Sequence, residues 1–175
     1  MKKIQFAYLS SEDPRNKKVW SGTHYSIYQC LLSIGEVEIL GPYEPKGRLF
    51  LAKILNQFYL KILNKRFSYR HSSFISKGYA NYFERKLKDK KFDFIVAPAA
   101  SCELAYINTA IPIIYITDGT FAGCLNYHKA LSNLTPASIK DGNLIEQNAI
   151  NKSAVTIVSS EWAANSVIAD YKCEH

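Results

Sequence analysis

The residue best placed to do chemistry is Asp118. It follows an apolar run at residues 111–116 that predicts a buried strand, and it precedes Gly119. A carboxylate over the end of such a strand could act as a general base or orient a substrate hydroxyl. Asp-Gly is also common turn chemistry, so an Asx-type turn or helix cap is an equally weighted alternative.

The run Ser21-Gly22-Thr23 is the second candidate, because it stands at the start of a predicted helix. Backbone N–H groups at a helix N-terminus suit a phosphate or other anion, and glycine lets the backbone approach closely. An ordinary Ser/Thr N-cap with glycine in the turn is the alternative, and these residues alone favour it. The patterns G-x-G-x-x-G and G-x-x-x-x-G-K-[ST] are absent, which argues against a nicotinamide dehydrogenase and a P-loop NTPase.

Polar and small residues also follow the other predicted strands. They are candidates for lining a cleft, because ligands of open parallel sheets bind outside the carboxyl ends of the strands. These candidates are Trp20, Ser101, Glu103, Thr120, Ser160 and Glu161. For Ser101 with Glu103, and for Ser160 with Glu161, a helix N-cap followed by a first-turn acid is the favoured interpretation.

Several chemistries have no support in the sequence. A G-x-S-x-G elbow is absent, so nothing favours a hydrolase. The four cysteines form no CxxC pair and the four histidines lack ligand spacing, so no metal site is predicted and free thiols are expected. The apolar run at residues 4–9 is too short for a signal peptide and lacks a cleavage site, so a cytoplasmic location is expected.

The elements that would position these residues alternate between strands and helices. Apolar runs predict the strands, and apolar residues at 3–4 spacing predict the helices. The predicted strands are residues 4–9, 37–40, 93–97, 111–116 and 154–158, and the predicted helices are residues 25–35, 48–65, 74–89, 139–151 and 161–171. Strands that are apolar on both faces are typical of a parallel sheet covered on both sides. The predicted fold class is therefore α/β, a three-layer Rossmann-like open parallel sheet with helices on both faces, formed as one domain by residues 1–175.

The net charge of +7 is concentrated in one segment. Residues 46–91 contain thirteen Lys and Arg against Glu84 and Asp89, so the segment carries +11 and the rest of the chain 7 − 11 = −4. A core-packed helix with a solvated basic face is the favoured interpretation. A surface that docks on anionic lipid head groups is the alternative, and nucleic acid ranks third because no RNA-binding motif accompanies the aromatic residues.

Three passages, taken in order, resemble a known family. They are residues 20–25 (WSGTHY), residues 111–121 (IPIIYITDGTF) and residues 146–171, which include VTIVSSEWAA. Together they resemble the N-terminal domain of family 4 (group 1) glycosyltransferases of the GT-B fold. Aspartate at position 118 departs from the histidine that many family members carry at the end of this strand.

The resemblance implies a retaining transfer of a sugar from a nucleotide diphosphate sugar to a glycan or lipid-linked acceptor. In that scheme the Gly22 loop faces the donor phosphates, Asp118 acts as a base or holds substrate, and no cofactor is needed besides the nucleotide sugar. The donor-binding half is absent from these 175 residues, so the fragment alone is expected to be inactive. A stand-alone flavodoxin-like binding module and a GT-B sugar-nucleotide epimerase are the competing functions.

Overall fold

Among the residues that the structure describes, the sheet has five strands, all parallel, in the order β2-β1-β3-β4-β5. The structure, a computed structural model, describes residues 3–173. The strands are β1 (Ile4–Tyr8), β2 (Gly35–Ile39), β3 (Phe94–Pro98), β4 (Ile113–Thr117) and β5 (Val155–Val158). The predicted open parallel sheet is therefore confirmed.

Within residues 3–173, seven α-helices connect and cover the strands. They are α1 (Thr23–Ile34), α2 (Lys46–Leu63), α3 (Ser73–Leu87), α4 (Ser101–Leu104), α5 (Phe121–Cys124), α6 (Pro136–Lys152) and α7 (Glu161–Tyr171), with two short 3-10 helices at Val19–Gly22 and Lys129–Leu131. The sequence predicts the five long helices to within about three residues at each end. It gives no bounds for α4 and α5, although it expects a helix start at Ser101, because a single helical turn is too short to show a periodic apolar pattern.

Alternate residues of the strands form two separate cores, one on each face of the sheet. Phe6 and Tyr8 pack with Leu31 of α1, whereas Ala7 and Leu9 face the core that contains residues of α2, α3, α4, α6 and α7. From β1 to β2 the chain moves one way across the sheet, and from β2 onward it moves the other way. Since crossovers between parallel strands are right-handed, this reversal places α1 on one face and the later helices on the other. Helices therefore lie on both faces, as predicted, but α1 is the one long helix on its face within residues 3–173.

Gly35 ends the first helix, as predicted, but β2 starts two residues earlier than predicted. The sequence predicts that it ends the first helix, with the next strand starting at residue 37. In the structure Gly35 is extended and is the first residue of β2, directly after α1. A Cβ at this position would lie 2.4 Å from the carbonyl oxygen of Ile4. Glycine is therefore required by the close approach of β1 and β2, and it does not serve as a left-handed C-cap.

Within the part of the chain that the structure describes, no helix combines the length and apolar character needed to cross a membrane.

Candidate functional site at the carboxyl edge of the sheet

The loop between β1 and α1 has a strained backbone. Trp20, Ser21 and Gly22 all have positive φ, at 45°, 52° and 88°. Residues other than glycine rarely adopt this left-handed conformation, and such strain clusters at functional sites. Gly22 is the N-cap of α1 and no side chain caps this helix, so the alternative of an ordinary Ser/Thr cap is wrong. The first turn of α1 is thus left with backbone N–H groups that could meet an anion.

A hydrogen bond joins this loop to the end of β4. The indole Nε1 of Trp20 donates to Oδ2 of Asp118 at 2.8 Å, across 98 positions of the sequence. The loop after β1 and the turn after β4 therefore meet at the same edge of the sheet. Two of the residues predicted separately as functional are in direct contact.

The carboxylate of Asp118 is exposed and is not used to close its own turn. Thr117 closes the turn instead, because its Oγ1 donates to the carbonyl oxygen of Gly119 at 2.7 Å. Trp162 of α7 packs on this turn, since a Cβ on Gly119 would lie 3.0 Å from its ring. The geometry therefore favours the cleft interpretation of Asp118 over the Asx-turn alternative.

Two buried side chains support the loop from below. The Nδ1 of His24 lies 2.9 Å from the hydroxyl of Tyr8, and that hydroxyl donates to the His24 carbonyl oxygen at 3.2 Å. The ring of His24 contacts Trp20 edge-to-face at 5.5 Å. Burial lowers the pKa of His24, which keeps the imidazole neutral at pH 7. His24 therefore holds Trp20 in place without placing a charge under the loop.

Three of the other predicted cleft residues lie at helix starts. Thr120 is buried and caps α5 by accepting from the Gly123 N–H at 3.0 Å. Ser160 caps α7 by accepting from the Ala163 N–H at 3.2 Å, which confirms its capping interpretation. Glu161 is an exposed first-turn acid of α7. Local helix chemistry accounts for these positions.

Ser101 and Glu103 lie beneath the edge of the sheet. The N-cap of α4 is Ala100, so the prediction that Ser101 is the cap is wrong. Both residues are buried, and Ser11 hydrogen-bonds to Glu103. Burial raises the pKa of Glu103. These two residues join loops together from below and do not line an open cleft.

Glu146 of α6 is a central buried group that the sequence candidates do not include. Its Oε1 accepts from the Tyr115 hydroxyl at 2.8 Å, and Ser101 and the Phe121 N–H also hydrogen-bond to it. Burial raises its pKa from 4.5 to about 7. Because these partners belong to α4, β4 and α5, Glu146 fixes the elements under Asp118. The signal in the sequence is a glutamate between the apolar residues Ile145 and Ala149 of a predicted helix.

A cavity of about 540 Å³ opens beside the site, between the end of α2, the 64–72 connection and the loop after α5. It is lined by basic and apolar side chains, among them Leu60, Arg66, Phe67, Arg70, His71 and His128. The centre of the His71 ring lies 5.3 Å from the centre of the Phe121 ring. Phe121 follows Asp118 by three residues in the chain. Burial, together with Arg70, lowers the pKa of His71 to about 4. The cavity therefore places the guanidinium groups of Arg66 and Arg70 together with apolar walls next to the candidate site.

The residues described contain no cluster of three or more His, Cys, Asp or Glu side chains that could hold a metal ion. The thiols of Cys30, Cys102 and Cys124 are free. Every buried side-chain nitrogen and oxygen in residues 3–173 has a hydrogen-bond partner.

Comparison of the chain with family models, with curated proteins and with solved structures finds no match.

Proposed function

We propose that this chain is the N-terminal, acceptor-side domain of a retaining GT-B glycosyltransferase of the family 4 kind. The full enzyme would move a sugar from a nucleotide diphosphate sugar to a glycan or lipid-linked acceptor. The observation that carries the proposal is the Trp20–Asp118 hydrogen bond, which puts a left-handed glycine loop and an exposed carboxylate at one edge of a parallel sheet. Such edges are where ligands of these folds bind.

The loop suits the donor diphosphate. Gly22 leads directly into α1, whose positive dipole end and uncapped N–H groups favour a negative charge. Alanine at Gly22 would have room, since its Cβ would lie 3.5 Å from the Lys17 carbonyl oxygen, but it would be strained by a φ of +88°. The requirement for glycine here is therefore conformational.

Asp118 suits the reacting sugar or the acceptor. Its Oδ2 accepts from the Trp20 indole, and this contact holds the carboxylate over the end of β4. The remaining oxygen could orient a hydroxyl or take a proton from it. The adjacent cavity, with Arg66, Arg70 and apolar walls, would receive an acceptor that carries a phosphate and an apolar portion.

The proposal requires a second domain. Donor binding in this scheme needs a nucleotide pocket across the cleft, so the 175 residues alone would be inactive. We place the enzyme in the cytoplasm, where free thiols such as those of Cys30, Cys102 and Cys124 are stable. A binding module without catalysis is the alternative outcome.

The test is sugar transfer by the complete protein that contains this chain, offered a panel of nucleotide diphosphate sugars with membrane extract. Asp118→Asn should lower the transfer rate at least about 100-fold, because it removes a proton acceptor. Asp89→Asn is the matched control, an exposed aspartate between α3 and β3 at the other end of the sheet, and it should leave the rate unchanged. Equal rates for Asp118→Asn and wild type would refute the role of Asp118. Absence of transfer by a folded wild type would favour the binding module.

A further inference from the structure

The helix α2 is apolar on the side that faces away from the protein. Six large apolar side chains, between 41% and 66% exposed, share this outward face: Phe50, Leu51, Ile54, Leu55, Phe58 and Ile62. The opposite side is also apolar and packs into the core through Leu49 and Ala52. A soluble helix normally carries polar residues on its outer side, and monomers rarely expose a contiguous apolar patch of this kind.

The orientation of α2 is fixed by specific contacts. Arg48 Nη1 donates to the Phe74 carbonyl oxygen at 2.6 Å near the start of the helix. Asn56 Oδ1 accepts from the Phe67 N–H at 2.9 Å further along. Since both contacts lie on the inner side with Leu49 and Ala52, the helix cannot turn its outward face into the core without losing them.

The charge around the outward face is of one sign. Residues 46–83 contain no Asp or Glu, whereas they contain Lys46, Arg48, Lys53, Lys61, Lys65, Arg66, Arg70 and Lys77. The helical repeat places Lys46, Lys53 and Lys61 along one border of the outward face, and all three are exposed. An apolar stripe bordered by lysines matches a surface that is apolar inside and anionic at its boundary.

We propose that α2 docks on an anionic lipid bilayer. The helix lies in the plane of the interface, with Phe50, Ile54 and Phe58 among the upper acyl chains and the bordering lysines at the lipid phosphates. It does not span the bilayer, because four basic residues interrupt its 18 residues. Docking needs neither a nucleotide sugar nor Asp118, so it does not depend on the proposed function.

Charge decides between a bilayer and the other occupants. A second copy of the chain would bring lysines against lysines, and the net charge of +7 adds repulsion. A nucleic acid would meet phenylalanine, leucine and isoleucine at the centre of the face, where phosphates need donors. An acidic protein partner fits the lysines, and it would leave no affinity for protein-free vesicles.

The experiment is flotation of the purified chain with vesicles of phosphatidylcholine, with and without one-third phosphatidylglycerol. We expect binding to the anionic vesicles that weakens as salt is raised, and at least about ten-fold weaker binding to the neutral ones. Failure to float with anionic vesicles at low salt would overturn the proposal. Concentration-dependent dimerisation without flotation would overturn it in favour of a second copy.

Three double variants test the face itself. Phe50→Gln with Phe58→Gln should weaken binding at least about ten-fold, because each ring loses its buried apolar surface. Lys53→Gln with Lys61→Gln should weaken it roughly 25-fold on anionic vesicles, at about five-fold for each lysine. Val155→Gln with Ile157→Gln is the matched control on β5, where the two side chains are 50% and 46% exposed, and it should change nothing. Loss of flotation in the β5 control, or its retention in the Phe50 and Phe58 variant with unchanged circular dichroism, would assign the binding to another surface.

Discussion

The carboxyl edge of the sheet and the outward face of α2 place their functional groups in opposite ways. At the edge, single atoms matter, because Trp20 meets Asp118 only through contacts between residues 98 positions apart. On α2, many side chains of similar character act together along one helix, and no single contact is decisive. The edge should therefore be sensitive to small steric and electrostatic changes in the core beneath it, whereas α2 should tolerate them.

The largest expected effect comes from Gly142→Ala in α6. A Cβ at this position would lie 2.2 Å from Cζ of Phe121, which follows the Asp118 turn. The ring must move, and overpacking of this kind costs about 3 kcal/mol in the free energy of unfolding. Chemical denaturation followed by circular dichroism measures this loss. A loss below about 0.5 kcal/mol would show that the ring can move freely, and the edge would then be less tightly packed than described.

The second prediction concerns pH and the buried Glu146. Its folded pKa of about 7 lies above the ordinary value of 4.5, so the folded state binds more protons than the unfolded state between these values. The stability contributed by the protonated carboxyl is full below pH 4.5 and is lost as the pH rises through 7. His71 has the opposite sign, because its folded pKa of about 4 lies below 6.5, so its contribution is lost as the pH falls from 6.5 to 4.

Glu146→Gln should therefore remove the decline in stability between pH 4.5 and 7 and expose the rise that His71 produces. His71→Gln should do the reverse and steepen the decline. The pKa shifts of Glu103 and His24 are the same in both variants. The effects of Glu146 and His71 are therefore read from the difference between the two profiles of stability against pH. Denaturation midpoints from pH 4 to 8 give the profiles. Parallel profiles for Glu146→Gln and wild type would show that this carboxyl does not titrate in the window.

A smaller effect is expected at Gly22, where the strain is in the backbone alone. Gly22→Ala should lower the free energy of unfolding by about 1 kcal/mol, because alanine must hold a φ of +88° while its Cβ meets nothing closer than 3.5 Å. Thermal unfolding detects the difference. An unchanged melting temperature would mean that the loop relaxes to a right-handed conformation at no cost.

The smallest effect is expected at Gly47, in the first turn of α2. Nothing lies within 4 Å of a Cβ at this position, so Gly47→Ala should raise the free energy of unfolding by about 0.5–1 kcal/mol through helix propensity. This variant is the matched control for Gly22→Ala, since the two substitutions are chemically identical. A destabilised Gly47→Ala would contradict the open outward surface of α2.

The sequence predicts the parts of this molecule that depend on local pattern. The five strands, the five long helices and the position of Asp118 after β4 follow from apolar runs and 3–4 spacing. The basic, apolar character of α2 is likewise visible in the sequence, although the predicted core packing of its apolar stripe holds only for its inner side.

Groups brought together by the fold are not visible in that pattern. The Trp20–Asp118 bond, the Glu146 contacts with Tyr115 and Phe121, and the cavity beside His71 each join segments that are distant in the chain. The local pattern predicts a capping role for Ser101, because a serine shortly before an acid resembles an N-cap. In the structure Ser101 is buried beneath the edge of the sheet, and its hydroxyl hydrogen-bonds to Glu146 instead.

The most direct test is an NMR titration, with a nucleotide diphosphate sugar, of the complete nitrogen-labelled protein that contains this chain, because donor binding requires the second domain. We expect the Trp20 indole N–H and the backbone amides of Gly22 and His24 to shift, while the amide of Phe58 on α2 stays in place. Shifts confined to α2, with the Trp20 indole unmoved at the highest ligand concentration, would contradict the assignment of the sheet edge as the donor-phosphate site.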